Sequence, residues 1–193
     1  IAGENAARVA LGMGAEVTII DININRLRSL SAIYGAHLKT LASNELNIAE
    51  ATSQADLVVG SVLIPGAAAP KLVTRDMIQA MRDGSVLVDI AIDQGGCFEG
   101  SYPTTHEEPV FQLDGKNMYC VANMPGAVPR TSTEALTNAT LPYLVRLAEL
   151  GWRDALRSDV HLARGLNVYD GDIVHPEVAG ALDQPYVNLV EVL

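Results

Sequence analysis

Leu57-Val58-Val59-Gly60-Ser61-Val62 is an unbroken apolar run, without the alternation of a half-exposed strand. Such a run reads as a strand buried on both faces, as in parallel sheets with helices on each side. Ser85-Val86-Leu87-Val88-Asp89-Ile90 repeats the pattern downstream. Val17-Thr18-Ile19-Ile20-Asp21 reads as a shorter buried strand ending in an acid. His37-Leu38-Lys39-Thr40-Leu41 and the run Met118 to Val121 are further strand candidates.

Helical segments separate these strands. Ala6, Val9, Ala10 and Met13 recur at helical spacing and predict a small-residue face on a first helix that stops at Gly14. A second helix runs from about Arg26 to Tyr34 and ends at Gly35. A short one covers Asn47 to Ser53, and Thr74 caps a fourth over Met77, Ile78 and Met81. Short apolar strands alternating with helices predict an α/β fold: a Rossmann-type, doubly wound parallel sheet. The turn at Ile64-Pro65-Gly66-Ala67 follows one of its strands.

The pattern changes after Asn123. Met124-Pro125-Gly126-Ala127-Val128-Pro129 holds two prolines around a glycine and is expected to be neither regular helix nor sheet. A helical region from about Thr133 to Leu150 follows, with Pro142 expected to kink or restart it. Shorter helical pieces surround Ala155 and Leu162, and Leu166-Asn167-Val168-Tyr169 reads as extended. The expected boundary lies near Pro129, with a domain at 1–129 and a second segment at 130–193.

Composition bounds the function. The 193 residues are 49% hydrophobic and 19% charged, a globular mixture. Thirteen basic against 23 acidic residues leave a net charge of −10, which opposes binding to nucleic acid or an anionic membrane. No apolar run reaches the ~18 residues that span a bilayer. Cys97 and Cys120 form no CxxC pair and read as free thiols in a reducing cytoplasm. Asn138-Ala139-Thr140 matches a glycosylation sequon only by chance in that setting. Ile1-Ala2-Gly3 leads straight into a helix with no strand before it, so a preceding strand is expected upstream.

Gly3 stands where the last glycine of a GxGxxG loop would stand, with the first two upstream. The free amides of the following helix suit a pyrophosphate. Asp21 ends the next strand, eighteen residues on. A carboxylate there accepts from both adenosine ribose hydroxyls and repels a 2′-phosphate, which predicts NAD rather than NADP. An ordinary turn glycine and a solvated carboxylate are the plain alternatives. Arg26 is a candidate for the adenosine edge or a solvated helix charge.

Ligands in open α/β sheets bind at strand carboxyl ends. The loops there begin at Val62-Leu63, at Ala91-Ile92-Asp93-Gln94-Gly95-Gly96 and at Val121-Ala122-Asn123-Met124. Asp93 is the ionisable group of the most glycine-rich loop, as an acid/base group or as a turn residue bonded to nearby amides. His106, in Pro103-Thr104-Thr105-His106-Glu107-Glu108-Pro109, reads as a solvated loop histidine. With His37, His161 and His175 it forms no metal-ligand spacing, so no metal is expected.

Gly60-Ser61-Val62-Leu63-Ile64-Pro65-Gly66-Ala67 with Ala69-Pro70-Lys71-Leu72-Val73 resembles alanine dehydrogenases. So do Val88-Asp89-Ile90-Ala91-Ile92-Asp93-Gln94-Gly95-Gly96 and the run from Asn123 through Arg130-Thr131-Ser132 to Asn138. The resemblance covers essentially the whole chain. It implies reversible, NAD-dependent oxidative deamination of L-alanine to pyruvate and ammonia by a homo-oligomer, a hexamer in the family. It implies a Rossmann domain inserted into a catalytic domain, to which the chain returns after about Pro129. By position it puts NAD contacts on Asp21, Arg26, Ser43, Val62, Leu63, Ile90, Ala91, Ile92, Asp93, Val121, Ala122, Asn123 and Met124. Asp93 matches the family's active-site aspartate. The family's histidine, lysine and arginine for substrate belong to a segment that this sequence lacks, and His106 matches none of them. Arg26 departs from a frequent lysine, and Tyr102 stands where some relatives have arginine.

Two alternatives remain open at this stage. The NAD-binding subunit of proton-pumping nicotinamide nucleotide transhydrogenase is similar in fold, but usually differs around Asp93 and lacks Met-Pro-Gly-Ala-Val-Pro. A chain that binds nucleotide without catalysis on its own is the other.

Overall fold

Polar side chains start the three α-helices between Ile24 and Ala80. The computed structural model describes residues 1–64 and 68–193. The first helix, α1 (Ala2–Gly12), has no side-chain cap. After strand β1 (Val17–Asp21), Asn23 accepts from the Arg26 amide at 3.0 Å and starts α2 (Ile24–Tyr34). After β2 (Leu38–Ala42), Asn44 accepts from the Asn47 amide at 2.8 Å and starts α3 (Glu45–Gln54). Strand β3 (Leu57–Gly60) follows, and Thr74 Oγ1 accepts from the Met77 amide to start α4 (Arg75–Ala80). Each cap satisfies an amide that the first helical turn leaves without a partner.

Strand β4 (Val86–Asp89) leads into a short 3-10 turn, Ile90–Gln94. Strands β5 (Val110–Leu113) and β6 (Lys116–Tyr119) come next. Strand β1 pairs with β2, β3 with β4, and β4 with β6, all parallel. The hydrogen-bonded orders are β1-β2 and β3-β4-β6-β5. This is the expected α/β, parallel-dominated architecture. In this sheet one strand was not anticipated: β5 pairs antiparallel with β6 at the sheet edge. Asp114 and Gly115 join the two with φ of 49° and 78°, the left-handed pair of a tight hairpin turn.

The core gathers on β4. Leu87, Met118, Ile78, Phe98, Cys97 and Cys120 are fully buried there. Burying a side chain of Leu87's size contributes about 1.5–3 kcal/mol. The helix face expected on α1 packs only in part: Ala6 and Ala10 are half-buried, Val9 is 59% and Met13 83% exposed, and Ala7, outside that face, is buried. Strand β1 is only partly buried rather than buried on both faces. The Pro65-Gly66-Ala67 part of the expected turn lies outside the described residues.

The chain divides into two compact units. One is Ile1–Leu63 with Ala69–Asn123; the other contains Met124–Leu193. In the second, Met124–Ala127 forms a 3-10 turn where no helical structure was expected. The following helix, α5 (Pro129–Leu150), begins with a proline in its first turn, where a missing N–H costs nothing. It therefore starts four residues before Thr133 and continues unbroken past Pro142. Next come α6 (Trp152–Ser158) and α7 (Val160–Ala163). Asp159 accepts from the His161 and Leu162 amides at 2.9 and 3.2 Å, and the Arg146 guanidinium bonds it at 2.6 Å. A small hairpin, β7 (Val168–Tyr169) and β8 (Asp172–Ile173), turns at Asp170-Gly171. Helices α8 (Pro176–Leu182) and α9 (Leu189–Val192) end the chain. Among the described residues no helix is long and apolar enough to cross a membrane.

Candidate functional site

Gly3 sits in the first turn of α1, against the residue that follows β3. A Cβ on Gly3 would stand 2.4 Å from Ser61 Oγ, so a side chain does not fit without a shift. The missing side chain lets the helix start approach the strand end closely, as a phosphate-binding helix must. At the end of β1, Asp21 Oδ1 accepts from the Asn23 amide at 2.7 Å. The Asp21 carbonyl accepts from the Ser43 amide at 3.0 Å, which brings Ser43 beside it. Arg26 is not a free charge: its guanidinium pairs with Glu4 in the first turn of α1.

The second cluster surrounds the turn after β4. Asp93 is exposed, and its Oδ1 accepts from the Asn123 amide at 3.3 Å. Asn123 holds φ of 54°, and its carbonyl contacts His106 Nε2 at 3.1 Å. His106 is exposed in its loop, as expected, and this contact ties it to Asn123. Ala91 and Ile92 are buried, and their carbonyls accept from Gly96 and Gly95. Ile90 begins the same turn and is partly buried. The outer edge of the turn is held by Lys71 Nζ, which donates to the Gly95 carbonyl at 2.6 Å, and by the Ala69 amide on Gln94.

Val62 is partly buried and Leu63 exposed. Val121 is fully buried, backbone included, so it supports this surface rather than lining it, contrary to the contact expected there. The Ala122 amide donates to the Thr104 carbonyl at 3.1 Å. Met124 belongs to the second unit. The structure thus brings together Gly3 with β3, Asp21 with Ser43, and Asp93 with Asn123.

Ser61 and Asp89 escaped the sequence-based selection. Ser61 carries no signal of its own, because only the fold sets it against Gly3. Asp89 does carry one: an acid inside an apolar strand needs buried donors. It is 0% exposed and accepts from the Cys97 amide at 3.2 and 3.0 Å and from the Phe98 amide at 3.3 Å. Burial first, and the Asp89 charge second, push the Cys97 thiol up to about 12. Burial likewise pushes Cys120 up to about 11.

The geometry is that of an open α/β sheet whose strand-end loops carry the candidate groups. The chain belongs to the family described as alanine dehydrogenase/PNT, C-terminal domain, whose family model matches residues 1–176. It is 57% identical over 193 residues to an alanine dehydrogenase of Halomonas elongata and 56% identical over 192 residues to one of Mycolicibacterium smegmatis. All of this chain is covered in both, but only 52% of each relative, so it spans about half their length. A solved L-alanine dehydrogenase matches with TM-score 0.81 and 48% identity, over 94% of this chain and 50% of that one. A transhydrogenase from Sinorhizobium meliloti matches with TM-score 0.67 and 26% identity, over 89% of this chain and 46% of that one.

Proposed function

We propose that this chain supplies the NAD-binding half of an alanine dehydrogenase, which interconverts L-alanine with pyruvate and ammonia. The observation that carries the proposal is the paired strand-end arrangement of Gly3 against Ser61 and Asp21 beside Ser43. Its setting in a chain 57% identical to an alanine dehydrogenase supports the substrate. The lower identity to the transhydrogenase, 26%, makes that the weaker alternative.

The residues fit the cofactor. The N-terminal amides of α1 would face the pyrophosphate across the side-chain-free surface of Gly3. Asp21 Oδ1 is engaged by Asn23, which leaves Oδ2 to accept from the ribose hydroxyls. Arg26 neutralises Glu4, whose carboxylate would otherwise repel a phosphate at the helix start. Backbone groups of Val62, Leu63, Ile90, Ala91, Ile92 and Ala122 would line the nicotinamide side. When bound, NAD supplies the hydride acceptor. Asp93 holds Asn123 through Oδ1 and keeps Oδ2 to take or return a proton as the amino acid is converted.

Residues 1–129 form the nucleotide-binding domain in this proposal, and 130–193 return to the catalytic domain. Among the described residues β1 is bonded only to β2, while β3 is bonded only to β4 at that end of its sheet. Helix α1 packs on both β1 and β3. The whole enzyme works as a cytoplasmic homo-oligomer, a hexamer by family resemblance.

The test has two arms. The 193-residue chain is titrated with NADH and NADPH by fluorescence, with tighter NADH binding expected. The chain is then fused in place of the matching half of the Halomonas enzyme and assayed for alanine-dependent NADH formation. Turnover by the fusion but not by the chain alone supports the proposal, and Asp93→Asn in the fusion should lower turnover far more than NAD affinity. A fusion that folds, binds NADH and ignores alanine overturns the substrate assignment.

A further inference from the structure

We infer that Asp89 is a positioning residue that fixes the turn carrying Asp93, and through it the contact between Asp93 and Asn123. The importance of that contact for turnover rests on the function proposed above; the positioning itself does not.

The chain leaves β4 at Asp89, makes the 3-10 turn Ile90–Gln94 and returns at Cys97. A 3-10 run of five residues has weak hydrogen-bond geometry and little stability of its own. Its exit passes through Gly95 and Gly96 with φ of 87° and 74°. Something must therefore hold the two ends. The Asp89 carboxylate does so, because it leaves from one end and accepts the Cys97 and Phe98 amides at the other. The Cys97 thiol adds a weak donor at 3.5 Å.

Gly96 shows how closely the loop is drawn in. A Cβ there would stand 2.6 Å from Asp89 Oδ2 and 2.4 Å from Ser101 Oγ. A buried carboxylate is a poor means of gaining stability compared with an apolar side chain. What it provides is direction, since its acceptors specify where the 97–98 backbone must lie. Fully buried, Asp89 has no route to a ligand, whereas Asp93, four residues on, is exposed and holds Asn123.

The experiment follows the Asn123 amide resonance of the 15N-labelled 193-residue chain through an acid titration. In the wild type it should move with ionisation of Asp93, and Asp93→Asn should remove that movement. In Asp89→Asn, one acceptor becomes a donor facing the Cys97 amide. The folded variant should lose most of the Asn123 titration. In the Halomonas fusion its turnover should fall roughly 10- to 100-fold, as misplacement of a reacting group does, with KM for NAD changed less than about threefold.

An Asp89→Asn variant that melts lower but keeps the wild-type Asn123 titration has lost a structural bond only, and overturns the inference. If Asp89→Asn does not fold, Gly96→Ala probes the same closure with the same two outcomes. A wild-type fusion without alanine turnover counts against the proposed function alone, while the amide titration still decides the role of Asp89.

Discussion

Gly3 and Ser61 meet so closely that a Cβ on the glycine would stand 2.4 Å from the serine Oγ, though 3.5 Å from its Cβ. The conflict of a Gly3→Ala variant is therefore with the hydroxyl alone. Gly3→Ala should push the Ser61 hydroxyl into another rotamer, a loss of at most about 1 kcal/mol, and weaken NADH binding. Ser61→Ala should restore most of both losses in the double variant. Thermal melts and NADH titrations of all four chains form a double-mutant cycle, and a cycle without coupling would remove the contact from consideration.

Asp21 has one oxygen committed to the Asn23 amide at 2.7 Å. Asp21→Ala should weaken NADH binding by about 1.5–3 kcal/mol, the range for hydrogen bonds to a charged group. It should also narrow the preference for NADH over NADPH, because the carboxylate that repels a 2′-phosphate is gone. An unchanged preference would mean that Asp21 only shapes its turn.

Arg26 and Glu4 form an ion pair at the start of α1. Arg26→Ala should leave the Glu4 charge uncompensated beside the proposed pyrophosphate position. Binding of NADH should weaken by about 0.3–1 kcal/mol at low ionic strength, and less at high salt, where exposed charges are screened. Glu4→Gln in the same chain should return the affinity. Equal losses in Arg26→Ala with and without Glu4→Gln would show that Arg26 touches the cofactor itself.

Cys97 and Cys120 are buried, with thiols pushed up to about 12 and about 11. Neither should react with a thiol reagent at pH 8 in the folded chain, and both should react after denaturation. The raised values also set a pH dependence. An unfolded cysteine ionises near pH ~8.5, so the unfolded chain binds fewer protons than the folded one above that point. Stability should be intact below it and fall progressively as pH rises toward 11 to 12. A melting temperature that is flat from pH 8 to 10.5 would contradict this.

Much of the fold was legible in local sequence. Val86 to Asp89 is an apolar run bounded by turn residues, and it forms a central parallel strand. Thr74 was readable as a cap because its hydroxyl does the same thing in any helix start. Strand β5 has a hairpin signal in Asp114-Gly115, but four residues after a polar, turn-rich run carry too little pattern to mark a strand. The face of α1 was legible only in part. Of Ala6, Val9, Ala10 and Met13, the two alanines are half-buried and the two larger residues exposed, while Ala7, outside that face, is buried.

The sequence by itself determined the alternating architecture, the family and the identity of the candidate acids Asp21 and Asp93. The architecture and the acids follow from short-range patterns, namely runs, caps and residue types at strand ends, and the family from the resemblance of whole stretches. Only the tertiary structure decided what each candidate touches. Asp93 meets Asn123, Gly3 meets Ser61, Arg26 meets Glu4, and Asp89 closes the Asp93 turn from inside the core. Apart from the Asp89 turn, these partners are 22 to 58 residues apart along the chain. No local pattern encodes their distance, because it is set by how strands and helices pack in three dimensions.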